Sequence, residues 1–297
     1  MATLRELKTR IGSVASTEKI TGAMKMISSA KVHQNEQALR KLQPFKEKIK
    51  QIMGHILSTG MEFHSPLIEE REVKRAGIVV YGSDDGLCGA YNINILKGLL
   101  IRIDRLREIY GQQLEVTIFP VGQKIARAVK KLDDPNLNVV MTEGVDSKMK
   151  GDKVNAFTGS LREGFLRGEM DLVEVVYMRY ISMSRQRLTT DQLFPVTEEA
   201  IKGDASKKAE ADNQLYIFEP DPNSIFNEVL PMFVLSSMQE ITIENRSSEQ
   251  AARVMAMQSA NDNAQKLLEQ LHLEYNKLRQ QSITTELLDI LGGQVER

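Results

Sequence analysis

Ser248 to Ala264 reads SEQAARVMAMQSANDNA, and Leu271 to Gly293 reads LHLEYNKLRQQSITTELLDILGG. From Glu249 to Leu291 there is neither proline nor glycine, so no residue in the stretch interrupts a helix. Small apolar residues stand at Ala251, Ala252, Ala256, Ala260 and Ala264. Bulky ones follow at Leu268, Leu271, Tyr275 and Leu278, spaced four, three, four and three. That alternation is the seam of a coiled coil, where apolar residues recur every three and a half positions. A seam needs a second helix to cover it.

The opposite end of the chain supplies that helix. Leu4, Leu7, Ile11 and Val14 repeat by three and four, as do Leu42, Phe45, Ile49, Ile52 and Ile56. Ile20, Met24 and Ile27 are expected to continue the seam between them, although Lys31 to Gln37 is polar. Gly12, Gly22 and Pro44 weaken an ordinary helix, and the two glycines would allow close backbone approach to a partner. Residues 1–50 hold eleven Lys or Arg against four Asp or Glu, whereas 247–297 hold five against seven. A basic helix beside a mildly acidic one favours antiparallel pairing. Roughly fifty-five residues of helix span about 80 Å, so the expectation is a helical shaft reaching beyond a globular part.

Between the ends, strand and helix patterns alternate. Arg75 to Gly82 is a short β-branched run and reads as a buried strand; Asn92 to Tyr110 reads as a helix with Ile95, Leu99, Ile103 and Leu106 on one face. Strands are predicted at Leu114 to Val121, at Val139 and Val140, and at Leu172 to Ile181. Helices are predicted at Gln123 to Leu132 and Lys153 to Arg167, and Leu188 to Pro195 would close the sheet. The fold class is therefore α/β: a long antiparallel coiled coil of the terminal helices with an intervening Rossmann-like domain. The expected divisions are 1–60, 75–200 and 215–297. Lys202 to Asn213 is polar and reads as a loop, and Pro231 is expected to bend the start of the last helix.

Several function classes lose support at once. Gly82, Gly86 and Gly89 are spaced four and three, where a dinucleotide fingerprint needs two and three, and no Gly-Lys-Ser/Thr follows for a phosphate loop. No direct nucleotide binding is expected. His33, His55, His64 and His272 are dispersed and lack metal-site spacing, and Cys88 has no evident histidine partner for nucleophilic catalysis. No catalytic residue, cofactor or metal is therefore assigned. The N-terminal lysines are scattered almost without aromatic residues, so an acidic protein surface is a better partner for them than nucleic acid. No run of eighteen apolar residues offers a membrane span, and no secretory or transit leader is read before Leu7. Cys88 is the only cysteine, which fits a reducing compartment.

Three blocks carry a resemblance: Arg10 to Lys31 (RIGSVASTEKITGAMKMISSAK), Gly82 to Asn92 (GSDDGLCGAYN), and Asn276 to Gly293 (NKLRQQSITTELLDILGG). In this order and spacing the chain resembles the gamma subunits of F-type ATP synthases, the central-stalk rotors of ATP synthesis and hydrogen ion transport. The resemblance implies a subunit without an active site of its own, standing inside a hexamer of alpha and beta subunits. It implies an epsilon subunit docked on the α/β domain and a foot on the c-subunit ring of the membrane sector. Such a complex sits peripherally on the cytoplasmic face of the bacterial cell membrane. Residue by residue, it implies contact with the beta subunit and coupling for Met24, Asp85, Cys88, Arg253, Arg279, Gln280, Thr284 and Glu286. Tyr216 and Glu219, in LYIFEPDP, are implied to touch the membrane ring. The apolar tip around Ile283 to Leu291 is implied to turn in an apolar sleeve. Relatives commonly carry a basic residue where this chain has Asp85, which puts an attraction to an acidic segment of beta in doubt. The alternative reading is a free coiled-coil spacer or scaffold with an α/β domain.

Overall fold

The computed structural model describes residues 3–57, 63–201 and 218–294. Its first element, α1, runs from Leu4 to Leu57 over 54 residues. A reciprocal cap starts it: the Thr3 amide donates to Glu6 Oε2 at 2.9 Å, and the Glu6 amide donates to Thr3 Oγ1 at 3.2 Å. The last element, here α5, runs from Pro222 to Gln294 over 73 residues. Asp221 opens it, accepting from the Ser224 amide at 2.9 Å. Pro44 and Pro231 both lie inside these helices, each leaving one carbonyl a turn earlier without its helical donor.

Two compact units emerge, one made of residues up to Ser29 with those from Arg253 onward, the other of Ala30 to Ala252. In the helical unit, Thr21 Oγ1 lies 3.4 Å from Asn261 Oδ1, and Gln265 donates to Glu18 at 3.3 Å. Partners advance along α5 as they retreat along α1, so the pair is antiparallel. On α5 the seam is Met257, Asn261, Ala264, Leu268, Leu271, Tyr275 and Leu278, all buried or half-buried. On α1 it is Leu4, Leu7, Ile11, Val14, Glu18, Thr21, Lys25 and Ser28.

This corrects the expected phase. Ile20 and Ile27 are 60% and 57% exposed, whereas Thr21 and Ser28 are buried. The heptad set by Leu4, Leu7, Ile11 and Val14 simply continues by fours and threes, and small polar residues occupy it where larger apolar ones were expected. Thr21 satisfies its hydroxyl on the Thr17 carbonyl at 3.0 Å, which lets it sit in a seam. Gly22 does face its partner helix closely, since a Cβ there would lie 3.4 Å from Asn261 Oδ1. Around Gly12 a Cβ would meet nothing within 4 Å, so close approach within this chain does not explain it.

The globular unit is built on a five-stranded sheet of order β3-β2-β1-β4-β5. Its strands are β1 (Arg75–Tyr81), β2 (Glu115–Val121), β3 (Leu137–Val139), β4 (Leu172–Ser182) and β5 (Arg185–Phe194). The first four pair in parallel and β5 is antiparallel to β4. The connecting helices are α2 (Tyr91–Tyr110), α3 (Gln123–Val129) and α4 (Gly151–Leu166). Alternation along β1 divides the core. Ile78 and Val80 join Ile95, Leu99, Ile103 and Leu106 of α2 and Ile125 of α3 on one face. Val79 and Tyr81 join Phe157 and Phe165 of α4, Ile49 and Met53 of α1, and Leu230 and Phe233 of α5 on the other. Burial on both faces is why β1 reads as an unbroken apolar run and β4 nearly so, its buried Glu174 being met by Arg102 Nε at 2.6 Å. The stretch Lys202 to Asn213 lies outside the described residues.

Candidate functional site

The turn after β1 holds two of the sequence-assigned residues. Ser83 Oγ donates to the Asp85 carbonyl at 2.8 Å, the Asn92 side-chain amide donates to Ser83 Oγ at 2.7 Å, and the Ser83 amide donates to Asn92 Oδ1 at 3.0 Å. Leu87 and Gly89 take φ values of 63° and 60°, which tightens the turn. Cys88 is buried beneath it, its Sγ 3.8 Å from Ser83 Oγ. The glycines serve close packing: a Cβ on Gly82 would come within 2.6 Å of Ile125, and one on Gly122, at φ 116°, within 3.0 Å of the Ser83 carbonyl.

Asp84 then stitches three segments. Its Oδ1 accepts the first amide of α3, from Gln123, at 2.9 Å; its Oδ2 accepts Ser147 Oγ at 2.8 Å and the Ser147 amide at 3.1 Å. A carboxylate of the chain itself thus satisfies the start of α3. Asp85 points outward and pairs with Lys148, Oδ2 to Nζ at 2.9 Å. That pairing holds the Lys148 ammonium above its usual range. The Ser147–Lys148 backbone is itself held from α5: Arg246 Nε donates to the Ser147 carbonyl at 2.9 Å and Nη2 donates to the Lys148 carbonyl. Half-buried Arg246 thereby braces the turn through one intervening loop.

The other assigned residues lie along the helices. Met24 is half-buried on α1, and Arg253 is buried on α5. Arg279, Gln280, Thr284 and Glu286 are all exposed on α5. Seven residues apart, Arg279 and Glu286 share one side of the helix; four apart, Gln280 and Thr284 share another, with Thr284 Oγ1 bonded to the Gln280 carbonyl at 2.9 Å. Ile283, Leu287, Leu288, Ile290 and Leu291 around them are 49% to 63% exposed. Glu219 is exposed in the bend before α5, and Tyr216 lies outside the described residues. Among the described residues no helix is long and apolar enough to cross a membrane, and no group of three or more His, Cys, Asp or Glu is arranged to hold a metal.

Comparison with known proteins matches this arrangement along its length. The family profile described as ATP synthase matches residues 3–295. The ATP synthase gamma chain of Bacteroides fragilis (strain ATCC 25285) is 39% identical over 297 residues, covering 99% of each chain. This chain belongs to the ATP synthase gamma family. Other gamma chains agree: that of Bacteroides thetaiotaomicron is 38% identical with 100% of both chains covered, and that of Ralstonia nicotianae is 34% identical with 99% of each covered. The fold is shared with a chain in the cryo-EM structure of the Euglena gracilis mitochondrial ATP synthase OSCP/F1/c-ring. The TM-score is 0.63 at 19% identity, over 98% of this chain and 93% of that one. A chain of the Tetrahymena thermophila central stalk and c-ring gives a TM-score of 0.55 over 81% and 99%.

For a gamma chain, the turn has one unexpected property. The acidic residue at position 85 carries its own cation, Lys148, so the pair presents both signs where Asp85 alone would present one. Sequence reasoning missed Asp84, Lys148 and Arg246 because their partners lie 39 to 99 residues away. The one local signal was the tandem Asp84-Asp85 before a glycine, which reads as a turn with capping potential.

Proposed function

We infer that this gamma chain works as the central rotor shaft of an F-type ATP synthase, a membrane-associated complex, without performing chemistry itself. The observation that carries the inference is the pairing of full-length similarity to gamma chains with an antiparallel helix pair whose surface is left exposed. A rotor works as a ligand with different affinity for the open and closed states of the subunits around it. Its two helices differ in sequence all round, so each angular position offers each surrounding subunit a different surface. Rotation moves that bias from one nucleotide site to the next.

In this reading the surrounding subunits are alternating alpha and beta, epsilon docks on the α/β unit, and the c-subunit ring meets the foot near Tyr216 and Glu219. The complex faces the cytoplasm from the bacterial cell membrane. Arg279 and Gln280 meet beta, with Met24, Arg253, Thr284 and Glu286 as further coupling positions and the Asp85–Cys88 turn as a second contact. An exposed guanidinium such as Arg279 is suited to charge-assisted hydrogen bonds that form only at certain rotor angles.

Two experiments test this. Mild co-purification with tagged gamma should bring down alpha, beta and epsilon; recovery of the chain alone would support a free spacer. In the assembled complex, Arg279→Ala with Gln280→Ala should leave assembly intact and lower ATPase turnover by roughly tenfold, since a charge-assisted hydrogen bond is worth about 1.5–3 kcal/mol and about 1.4 kcal/mol is tenfold in rate. Wild-type turnover in the double variant would remove these residues from coupling.

A further inference from the structure

Three carboxylates and two cations converge where α1, β4, β5 and α5 meet inside the globular unit. Glu240 and Glu244 stand one turn apart on α5, Asp191 on β5, Lys46 on α1 and Arg179 on β4. Lys46 pairs with Glu240. Arg179 is committed elsewhere, donating through Nη2 to Asp191 Oδ2 at 3.0 Å and to Tyr177 Oη at 2.7 Å, while the Tyr177 hydroxyl donates to Asp191 at 2.8 Å. What is left for Glu244 is a charge contact, Oε2 to Arg179 Nε at 3.5 Å. That oxygen is buried and makes no hydrogen bond among the described residues. The two observations agree: the guanidinium is near enough to attract but not aligned to donate.

With every carboxylate ionised the cluster would carry one uncompensated negative charge, costly at Glu244, whose side chain is only 16% exposed. A single proton removes it. Solvent reaches the partners of Glu244, because Lys46, Lys50, Arg179, Asp191, Glu199 and Glu240 line an open cavity of about 450 Å³.

We propose that Glu244 is a proton-binding site, and that its ionisation loosens the fastening between the β4–β5 corner and the α1 and α5 segments packed on it. Burial pushes the Glu244 carboxyl up to about 7; Arg179 and Lys46 pull it down, while Glu240 and Asp191 add to the rise. The native state then holds a proton that the unfolded chain has already lost. Stability falls as pH rises from the unfolded value, near 4.3, to about 7, and flattens above it.

Thermal unfolding of the full chain, wild type against Glu244→Gln, tests the proposal between pH 4 and 8.5. Glutamine is permanently neutral, so the variant should match wild type near pH 4 and exceed it by roughly 5 °C at pH 8, with the difference opening between about pH 4.3 and 7 and levelling off above 7. A difference constant with pH overturns the proposal. Glu240→Gln removes a like charge and frees Lys46, so it should move the transition to lower pH; an unmoved midpoint overturns the electrostatic origin. Should Glu244→Gln fail to fold, wild-type hydrogen exchange decides the matter. Protection of amides in 177–181 and 240–244, corrected for intrinsic rates, must fall as pH rises towards 7 and level off above it. Unchanged protection overturns the site.

Discussion

Asp85 and Arg246 separate two kinds of polar contact that look alike in a list of distances. The Asp85–Lys148 pair has both side chains more than half exposed, at 57% and 62%. Water screens such a pair, so Asp85→Ala should change the unfolding free energy of the full chain by less than about 1 kcal/mol. Arg246 reaches two backbone carbonyls from a half-buried position on α5, and its removal strips the carbonyl of buried Ser147 of this donor, while the more exposed Lys148 carbonyl turns to water. Arg246→Ala should cost about 1.5–3 kcal/mol in urea denaturation. Equal losses in the two variants would mean that the loop at 147–148 is held by something other than Arg246. Gly12 adds a contrast of the opposite sign. A Cβ there meets nothing within 4 Å, so Gly12→Ala should stabilise the isolated chain by about 0.5–1 kcal/mol, measured by thermal unfolding. If the assembled complex loses activity with the same substitution, the glycine serves a surface of another subunit.

The helix pair poses its question in phase. Leu7 and Leu271 are 3% and 2% exposed, whereas Ile20 and Ile27 are mostly uncovered. Leu7→Ala or Leu271→Ala should therefore cost about 2–5 kcal/mol in the isolated chain. Ile20→Gln with Ile27→Gln should stay within about 0.5 kcal/mol, both read by circular dichroism during unfolding. The reverse ranking would restore the phase expected from hydrophobicity alone. The helices, the parallel strands and the α2 face of Ile95, Leu99, Ile103 and Leu106 were legible because each depends on a local period. The seam at Thr21 and Ser28 was not, because hydrophobicity favours the isoleucines beside them and only the geometry of the partner selects the smaller residues. The brace from Arg246 was illegible for a different reason: no local period joins residues about a hundred positions apart. Arg279, Gln280, Thr284 and Glu286 were located by resemblance, since an exposed polar residue on a helix carries no local signal of its role.

For the whole molecule, the chain by itself is incomplete. Ile283, Leu287, Leu288, Ile290 and Leu291 are all about half exposed or more within nine residues of α5, a concentration of apolar surface that an independent protein does not keep. The isolated chain should self-associate with rising concentration in sedimentation velocity, and Leu287→Ser with Leu291→Ser should suppress this. A wild-type chain that stays monomeric throughout would show that the tip needs no cover. The solitary thiol has a practical consequence of a different kind. Cys88 is only 4% exposed, beneath the turn that closes on Ser83 and Asn92. A thiol-directed dye or cross-linker is therefore largely shut out of the native fold, and a second cysteine placed on any exposed helical position becomes the preferred site of attachment. The natural sequence is already suited to carrying a single probe, since its buried Cys88 need not be deleted first.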